Sequence, residues 1–339
     1  MGKRIDVLSV GDVVTDAFIK LLPHEAEIDK DPKDQHPLLC MTYGTKLPFE
    51  YAVVIEGVGN SANAAVSLAR LGLNSSLYAN IGSDQIGQDM LAALKKNKVQ
   101  TQFIRVNKGK VSNYHYVLWF EPERTILIKH EDYAYTWPTI HEADTPEWIY
   151  LSSFAESGMH MHKDIAEYLE AHPTVKLAFN PGTFQMRLGF DKLKRITERT
   201  ELFCVNVEEA QDMTGLKGER NIRKLSEAIH AHGPKIVAIT DGPNGSYTSD
   251  GTTILEMRNY PDPKAPFERT GAGDAYTSTF LAGYITSGDI RTAMKWGPIN
   301  SMSVVQKVGA QEGLLSRPQL EKYLHDAPEN YEPKEYKPD

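Results

Sequence analysis

Short β-branched runs alternate with longer amphipathic ones along most of this 339-residue chain, and that rhythm permits few folds. Residues 5–10 (IDVLSV), 75–81 (SSLYANI), 148–153 (WIYLSS), 175–180 (VKLAFN), 202–206 (LFCVN) and 235–240 (KIVAIT) read as strands. Helical spacing fills the gaps. NSANAAVSLARLG stops near Gly72, residues 86–97 carry apolar positions at 86, 90, 91 and 94, and residues 220–232 read as another helix. Strands alternating with helices predict an α/β fold, a mainly parallel central sheet with helices on both faces. An apolar share of 41% supplies the core for one such domain.

Two regions break the rhythm. Residues 17–55 hold prolines and charges but no clear helix, and 111–129 (VSNYHYVLWFEPERTILIK) read as two strands joined by EPER. An antiparallel pair inside a parallel plan predicts an appended sheet, here a small β lid built from about 17–55 and 111–129. The main domain then runs over residues 1–325. The polar, Pro-rich segment 326–339 reads as a loose tail.

Bulk properties exclude some functions. The net charge of −8 argues against non-specific nucleic-acid binding, because phosphates reward a basic surface. The two cysteines, Cys40 and Cys204, form no CxxC pattern, so neither zinc nor a disulfide framework is indicated. The start lacks a signal peptide's apolar stretch, and no run approaches the ~18 apolar residues of a membrane span. The expectation is a cytoplasmic protein without a membrane partner. His160-Met161-His162 and His230-Ala231-His232 suggest metal ligation, but helical residues two apart point away from each other, so unliganded histidines are expected.

Within EGVGNSANAAVSLARLG (56–72), GVGNSA fits the dinucleotide fingerprint G-x-G-x-x-A. That motif requires an acidic residue at the end of the next strand, about 20 positions on. The next strand here ends Asn80-Ile81-Gly82, with Asp84 in the turn beyond, and the first strand leads into GDVVTD instead. A nicotinamide oxidoreductase is therefore disfavoured. A stronger signal is PFERTGAGDAYTSTFLAGYITSG (266–288). Gly271, Ala272 and Gly273 precede an apolar helix, and small residues there leave its free N–H groups accessible to a phosphate. Asp274 in the first turn is either a dipole-stabilising acid or a base beside that cradle.

At this point the chain resembles the ribokinase-like, or PfkB-type, carbohydrate kinases. ERTGAGD (268–274) is similar to the family's D-T-x-G-A-G-D, and VGNSANAA (58–65) followed by ARLG (69–72) is similar to G-G-x-x-x-N-x-A and A-R-L-G. GDVVTD (11–16), GSDQIG (82–87), NVEE (206–209), TDGPNG (240–245) and VGA (308–310) resemble further family motifs in order. The resemblance implies an ATP-dependent phosphotransferase acting on an alcohol, such as a sugar hydroxymethyl group. It makes Asp274 the base and the Gly271, Ala272 and Gly273 N–H groups the stabilisers of the transferring phosphoryl group. Asp16, Gly59 and Asn63 would then approach the acceptor. Asn206, Thr240, Gly242, Gly245 and Gly309 would lie near the nucleotide, and Glu209 would support Mg²⁺ through water.

Two departures stand out: Val58 occupies a usual glycine position, and Glu268-Arg269 replaces a common Asp-Thr. That Asp is often tied to a monovalent-cation site, so a neighbouring arginine predicts weak or absent K⁺ dependence. Plainer readings stand beside these. Asn206 and Glu209 can cap a helix, and Asp16 and Thr240-Asp241-Gly242 can be turns; Arg124 could contact an anionic substrate but reads as a solvated turn residue. Tyr114 and Tyr116 share a strand face; with Trp119 they make a packed face, a homodimer contact through the lid, or a stack on a substrate ring. The last option would suit a nucleoside kinase of the same fold. A non-catalytic sugar or nucleotide sensor is the reading of a different class, and Asp274 speaks against it.

Overall fold

The computed structural model describes residues 4–31, 37–121 and 123–337. Its main sheet has ten strands, in the order Lys334–Glu335, Ile254–Met257, Ser246–Ser249, Ile236–Thr240, Thr200–Asn206, Lys176–Phe179, Trp148–Leu151, Val7–Val10, Ser75–Gly82 and Ile104–Asn107. The seven from Ile236–Thr240 to Ile104–Asn107 are mutually parallel, and the remaining three extend the sheet antiparallel. Both faces are buried, which is why the strands read as apolar runs. Leu8, Val10, Leu177 and Phe203 pack with the helices Met161–Ala171, Thr183–Thr197 and Ile222–His230. Val7, Tyr150, Ala178 and Leu202 face the helices Asn60–Arg70, Ala272–Ser287 and Ile290–Val304.

The chain starts in the middle of this sheet. From Val7–Val10 it winds outward to Ile104–Asn107, then returns to Trp148–Leu151 and winds the other way. The strand order therefore reverses beside Val7–Val10. The crevice beyond the carboxyl ends of strands at such a switch point is where open α/β sheets bind ligands.

A separate four-stranded sheet covers that end, in the order Phe49–Val58, Val14–Leu21, Tyr114–Phe120 and Glu123–Lys129. It draws on the two segments expected to form a lid, and its second strand starts as early as Val14. Ala26–Lys30 and Pro37–Met41 form their own two-stranded ribbon. No helix among the described residues is long and apolar enough to cross a membrane.

The expectation of a loose tail is wrong for residues 326–337. Lys334–Glu335 pairs with Ile254–Met257, and the Tyr336 N–H donates to the Ile254 carbonyl at 2.8 Å. Tyr331 is only 6% exposed, and its hydroxyl donates to the Lys295 carbonyl at 2.8 Å. Its ring meets Tyr260 edge-on at 5.1 Å, and Tyr336 meets Tyr247 at 5.2 Å. Two tyrosines in a polar stretch bury enough apolar area to dock it. Tyr331→Ala should lower the unfolding free energy by about 3 kcal/mol, the low end for deleting a buried aromatic, as read by urea titration.

Candidate active site

A cavity of about 580 Å³ lies between the carboxyl edge of the main sheet and the lid sheet. Strand ends supply its floor: Asn206 and Thr240 terminate their strands, and Ser153 and Asn180 follow theirs. The glycine cradle forms one wall. Gly271 caps the helix Ala272–Ser287 in the left-handed region, at φ 80°. A Cβ there would lie 2.3 Å from that of Ala310, so this position needs glycine twice over. A Cβ on Gly273 would meet nothing within 4 Å, so that residue borders open space. Gly271, Ala272, Gly273 and Asp274 all line the cavity.

Asp274 is half-buried, open to the cavity and otherwise enclosed. Burial raises its pKa to about 6, Glu209's charge adds to the rise, and a hydrogen bond from Asn63 opposes it. Asn63 Nδ2 donates to Asp274 Oδ2 at 2.8 Å, while Asn63 Oδ1 accepts from Gln311 Nε2 at 3.0 Å. Asn63 is carried by the helix Asn60–Arg70, capped by Gly59 at φ 108°. A Cβ on Gly59 would come within 3.0 Å of the Asp12 carbonyl oxygen. Val58 is accommodated because the left-handed step falls on Gly57, at φ 70°.

Asn206 and Glu209 form a capping box. Asn206 Oδ1 accepts from the Glu209 N–H at 2.8 Å, and Glu209 Oε2 accepts from the Asn206 N–H at 2.9 Å. Both also line the cavity, so the cap and the site are one arrangement. Burial raises the Glu209 pKa, and the neighbouring acids Glu208 and Asp212 add to it. Thr240 reaches the cavity, whereas Gly242, Gly245 and Gly309 do not border it. Gly242 lines an adjacent groove with Asp241 and Asn244. Gly245 is needed where the chain passes the Met257 carbonyl, and Gly309 where it passes Ile55. The four HMH and HAH histidines bind carbonyls, side chains or rings: His162 Nδ1 meets the Met159 carbonyl at 2.7 Å, and His232 stacks on Phe190 at 4.1 Å.

The opposite wall holds the expected Asp16 together with histidines that motif reading missed. Asp16 Oδ1 lies 3.3 Å from His115 Nδ1, and both side chains are largely buried. Asp12 accepts from the Tyr135 hydroxyl and the Ala155 N–H, each at 2.6 Å, with His130 Nδ1 at 3.4 Å. The resulting Asp12 charge and burial push the Tyr135 pKa far up. Asp12, Asp16, His115 and His130 all line the cavity. Only the parallel pairing of Val14–Leu21 with Tyr114–Phe120 sets His115 opposite Asp16, and no local pattern announces that pairing.

The structure corrects one reading of the lid and narrows another. His115, Arg124, Ile126 and Ile128 face the cavity; Tyr114 and Tyr116 are one residue out of step and lie on the other face, their rings 5.1 Å apart. They do not stack on anything in the cavity. Arg124 is no solvated turn residue: its side chain is 25% exposed, and its Nε lies 3.7 Å from Glu268 Oε1. Arg269, whose direction the sequence leaves open, borders the cavity with its side chain 57% exposed and its Nη1 3.9 Å from Glu123.

A doubly wound sheet whose switch-point cavity sets a carboxylate and a glycine-capped helix against a lid is the architecture of the ribokinase-like kinases. The chain belongs to the pfkB family of carbohydrate kinases, whose profile matches residues 53–317. It is similar to an uncharacterised sugar kinase of Archaeoglobus fulgidus, at 26% identity over 74% of this chain and 98% of the relative. It is also similar to 5-dehydro-2-deoxygluconokinase 1 of Bacillus cereus, at 26% identity over 80% of this chain and 86% of the relative. Among solved structures, Arabidopsis thaliana ribokinase complexed with ribose and ATP superposes with a TM-score of 0.74. That match has 18% identity and covers 95% of this chain and 99% of that one. Methanocaldococcus jannaschii nucleoside kinase superposes at 0.73, with 19% identity and 96% and 100% coverage. The expected family, fold and enzyme class hold.

Asp274→Asn should lower kcat by at least ~10²-fold, the scale of removing a general base. In the unsubstituted enzyme, kcat/KM for the acceptor should fall as pH drops below about 6, where the carboxyl gains its proton. Glu209→Gln removes a like charge and should move that acid limb to lower pH. A pH–rate series on the three proteins checks all of this.

Proposed function

We propose that this carbohydrate kinase transfers the γ-phosphoryl group of ATP to a hydroxymethyl group of a sugar. The observation that carries this reading is Asp274: an ionisable carboxylate in the first turn behind an open glycine cradle, facing Asp16 across one cavity. Asp16 and Asn63 hold the acceptor's hydroxyls, and His115 steadies the Asp16 carboxylate. Asp274 orients the attacking hydroxyl and accepts its proton as the oxygen attacks phosphorus. The N–H groups of Gly271, Ala272 and Gly273 meet charge on the transferring group, with the helix dipole behind them. The lid excludes water, which would otherwise accept the phosphoryl group.

Magnesium fits the donor set. Glu209 and Asp274 face one cavity, and the Glu209 charge raises the Asp274 pKa, an effect a cation there would offset. The described residues hold no group of three or more His, Cys, Asp or Glu arranged to cage a metal, which suits an ion held mainly by phosphates and water. Asn206 and Glu209 would support its water shell, and when bound it neutralises nucleotide phosphate charge.

A sugar is favoured over a nucleoside because Tyr114 and Tyr116 face away from the cavity, leaving Phe184 as its aromatic surface apart from the two histidines. Two tests follow. Glu209→Gln should raise the Mg²⁺ concentration for half-maximal rate more than the acceptor KM; an unchanged Mg²⁺ titration would restrict Glu209 to capping. ADP release should be measured with ribose, fructose, 5-dehydro-2-deoxygluconate and nucleosides. Turnover confined to sugars is expected; turnover with nucleosides alone, or with no acceptor, overturns the reading.

A further inference from the structure

The loop that enters the glycine cradle is gripped by the lid at two consecutive residues. Glu268 is buried, its side chain 1% exposed. Its Oε1 accepts from Thr270 N at 2.8 Å and from Thr270 Oγ1 at 2.6 Å, and its Oε2 accepts from Gly309 N at 3.3 Å. Thr270 leads directly into Gly271, and Gly309 leads into Ala310, which packs against Gly271. One carboxylate thus fastens both segments that shape the cradle. A buried charge of this kind needs a counter-charge. Among the described residues, the cation paired with Glu268 is Arg124, at 3.7 Å, on the lid strand Glu123–Lys129. Among the described residues nothing accepts a hydrogen bond from Arg124 Nε, so this contact is its engagement at that edge.

The second grip is apolar. Trp119 is the cross-strand partner of Arg124 in the lid hairpin, and it meets Phe267 edge-on with centroids 5.1 Å apart. Phe267 immediately precedes Glu268, and the N–H groups of both donate to the Val305 carbonyl, at 2.7 and 3.2 Å. The Trp119–Arg124 pair therefore clasps the Phe267–Glu268 pair, joining ring to ring and charge to charge.

We propose that Arg124 is a positioning residue that couples the lid to the phosphate cradle through Glu268. With the lid seated, Glu268 has its counter-charge and holds Thr270 and Gly309 in place. With the lid displaced, a buried carboxylate loses its cation, and the cradle loses the anchor that aligns its N–H groups. The cradle is therefore fully formed only when the lid excludes water. The inference rests on the proposed assignment of the cradle to nucleotide phosphates.

A thermodynamic cycle in Mg²⁺–ADP binding, read by calorimetry, tests it. Arg124→Gln should weaken binding by about tenfold, within the usual range of site-to-site coupling. Arg124→Lys keeps the charge and should recover most of that loss. Because Glu268→Gln removes the charge that needs compensating, the double variant should bind no more weakly than Arg124→Gln alone. Phe267→Ala breaks the clasp without altering charge and should weaken binding in the same direction; it carries the test if Arg124→Gln does not fold. Strictly multiplicative losses in the cycle would mean that Arg124 acts independently of Glu268, and the proposal fails, as it does if Arg124→Gln and Phe267→Ala both bind normally. Normal ADP binding with no phosphorylated acceptor would defeat the proposed function and leave the coupling standing. Absence of ADP binding by the unsubstituted protein would defeat both.

Discussion

The hydrogen bond from Asn63 to Asp274 joins residues 211 apart in sequence, and the site depends on it. It links the first helix of the fold to the helix that carries the cradle. Farther along the same helix pair, Ser67 and Thr279 meet at 3.4 Å, and Asn300 Nδ2 donates to Thr279 Oγ1 at 2.7 Å. A polar seam between helices has one satisfied register, whereas apolar side chains can slide. The seam therefore sets the depth at which Asp274 meets the cavity. Burial without the Asn63 donor would push the carboxyl further toward its neutral form, and with it the group is ionised at neutral pH.

The acceptor wall is held differently. Asp12 is saturated by Tyr135, Ala155 and His130, so it fastens loops and has little capacity left for a ligand. Among the described residues Asp16 pairs with His115, and it borders the cavity. Two aspartates four residues apart thus differ: one is tied into the framework, and the other borders the cavity with fewer contacts. The strand exit that looks like one motif in sequence contains both.

What could be read from the sequence follows from range. Alternating apolar runs report burial on two faces, and Leu8 and Val10 do pack opposite to Val7. The glycine turns were legible because Gly59 and Gly271 take backbone conformations that other residues resist. The partners of the site were not. His115 reaches Asp16 by a parallel pairing across about a hundred residues, and Gln311 reaches Asn63 across 248. Arg124 looked solvated because its neighbours in sequence are a turn, while its neighbour in space is a buried carboxylate. Gly245 and Gly309 fit family motifs, yet close passage of the Met257 backbone accounts for the first and a positive φ of 77° for the second.

The short terminal strand Lys334–Glu335 has a consequence beyond its own packing. It covers part of the outer edge of Ile254–Met257, the last full strand on that side of the main sheet. An uncovered strand edge presents unpaired N–H and C=O groups, a template for another chain. Two charged residues make a poor template, so the sheet ends in a segment that discourages further pairing. Lys334–Glu335 thus serves as a guard against edge-to-edge aggregation, a role separate from the docking of Tyr331.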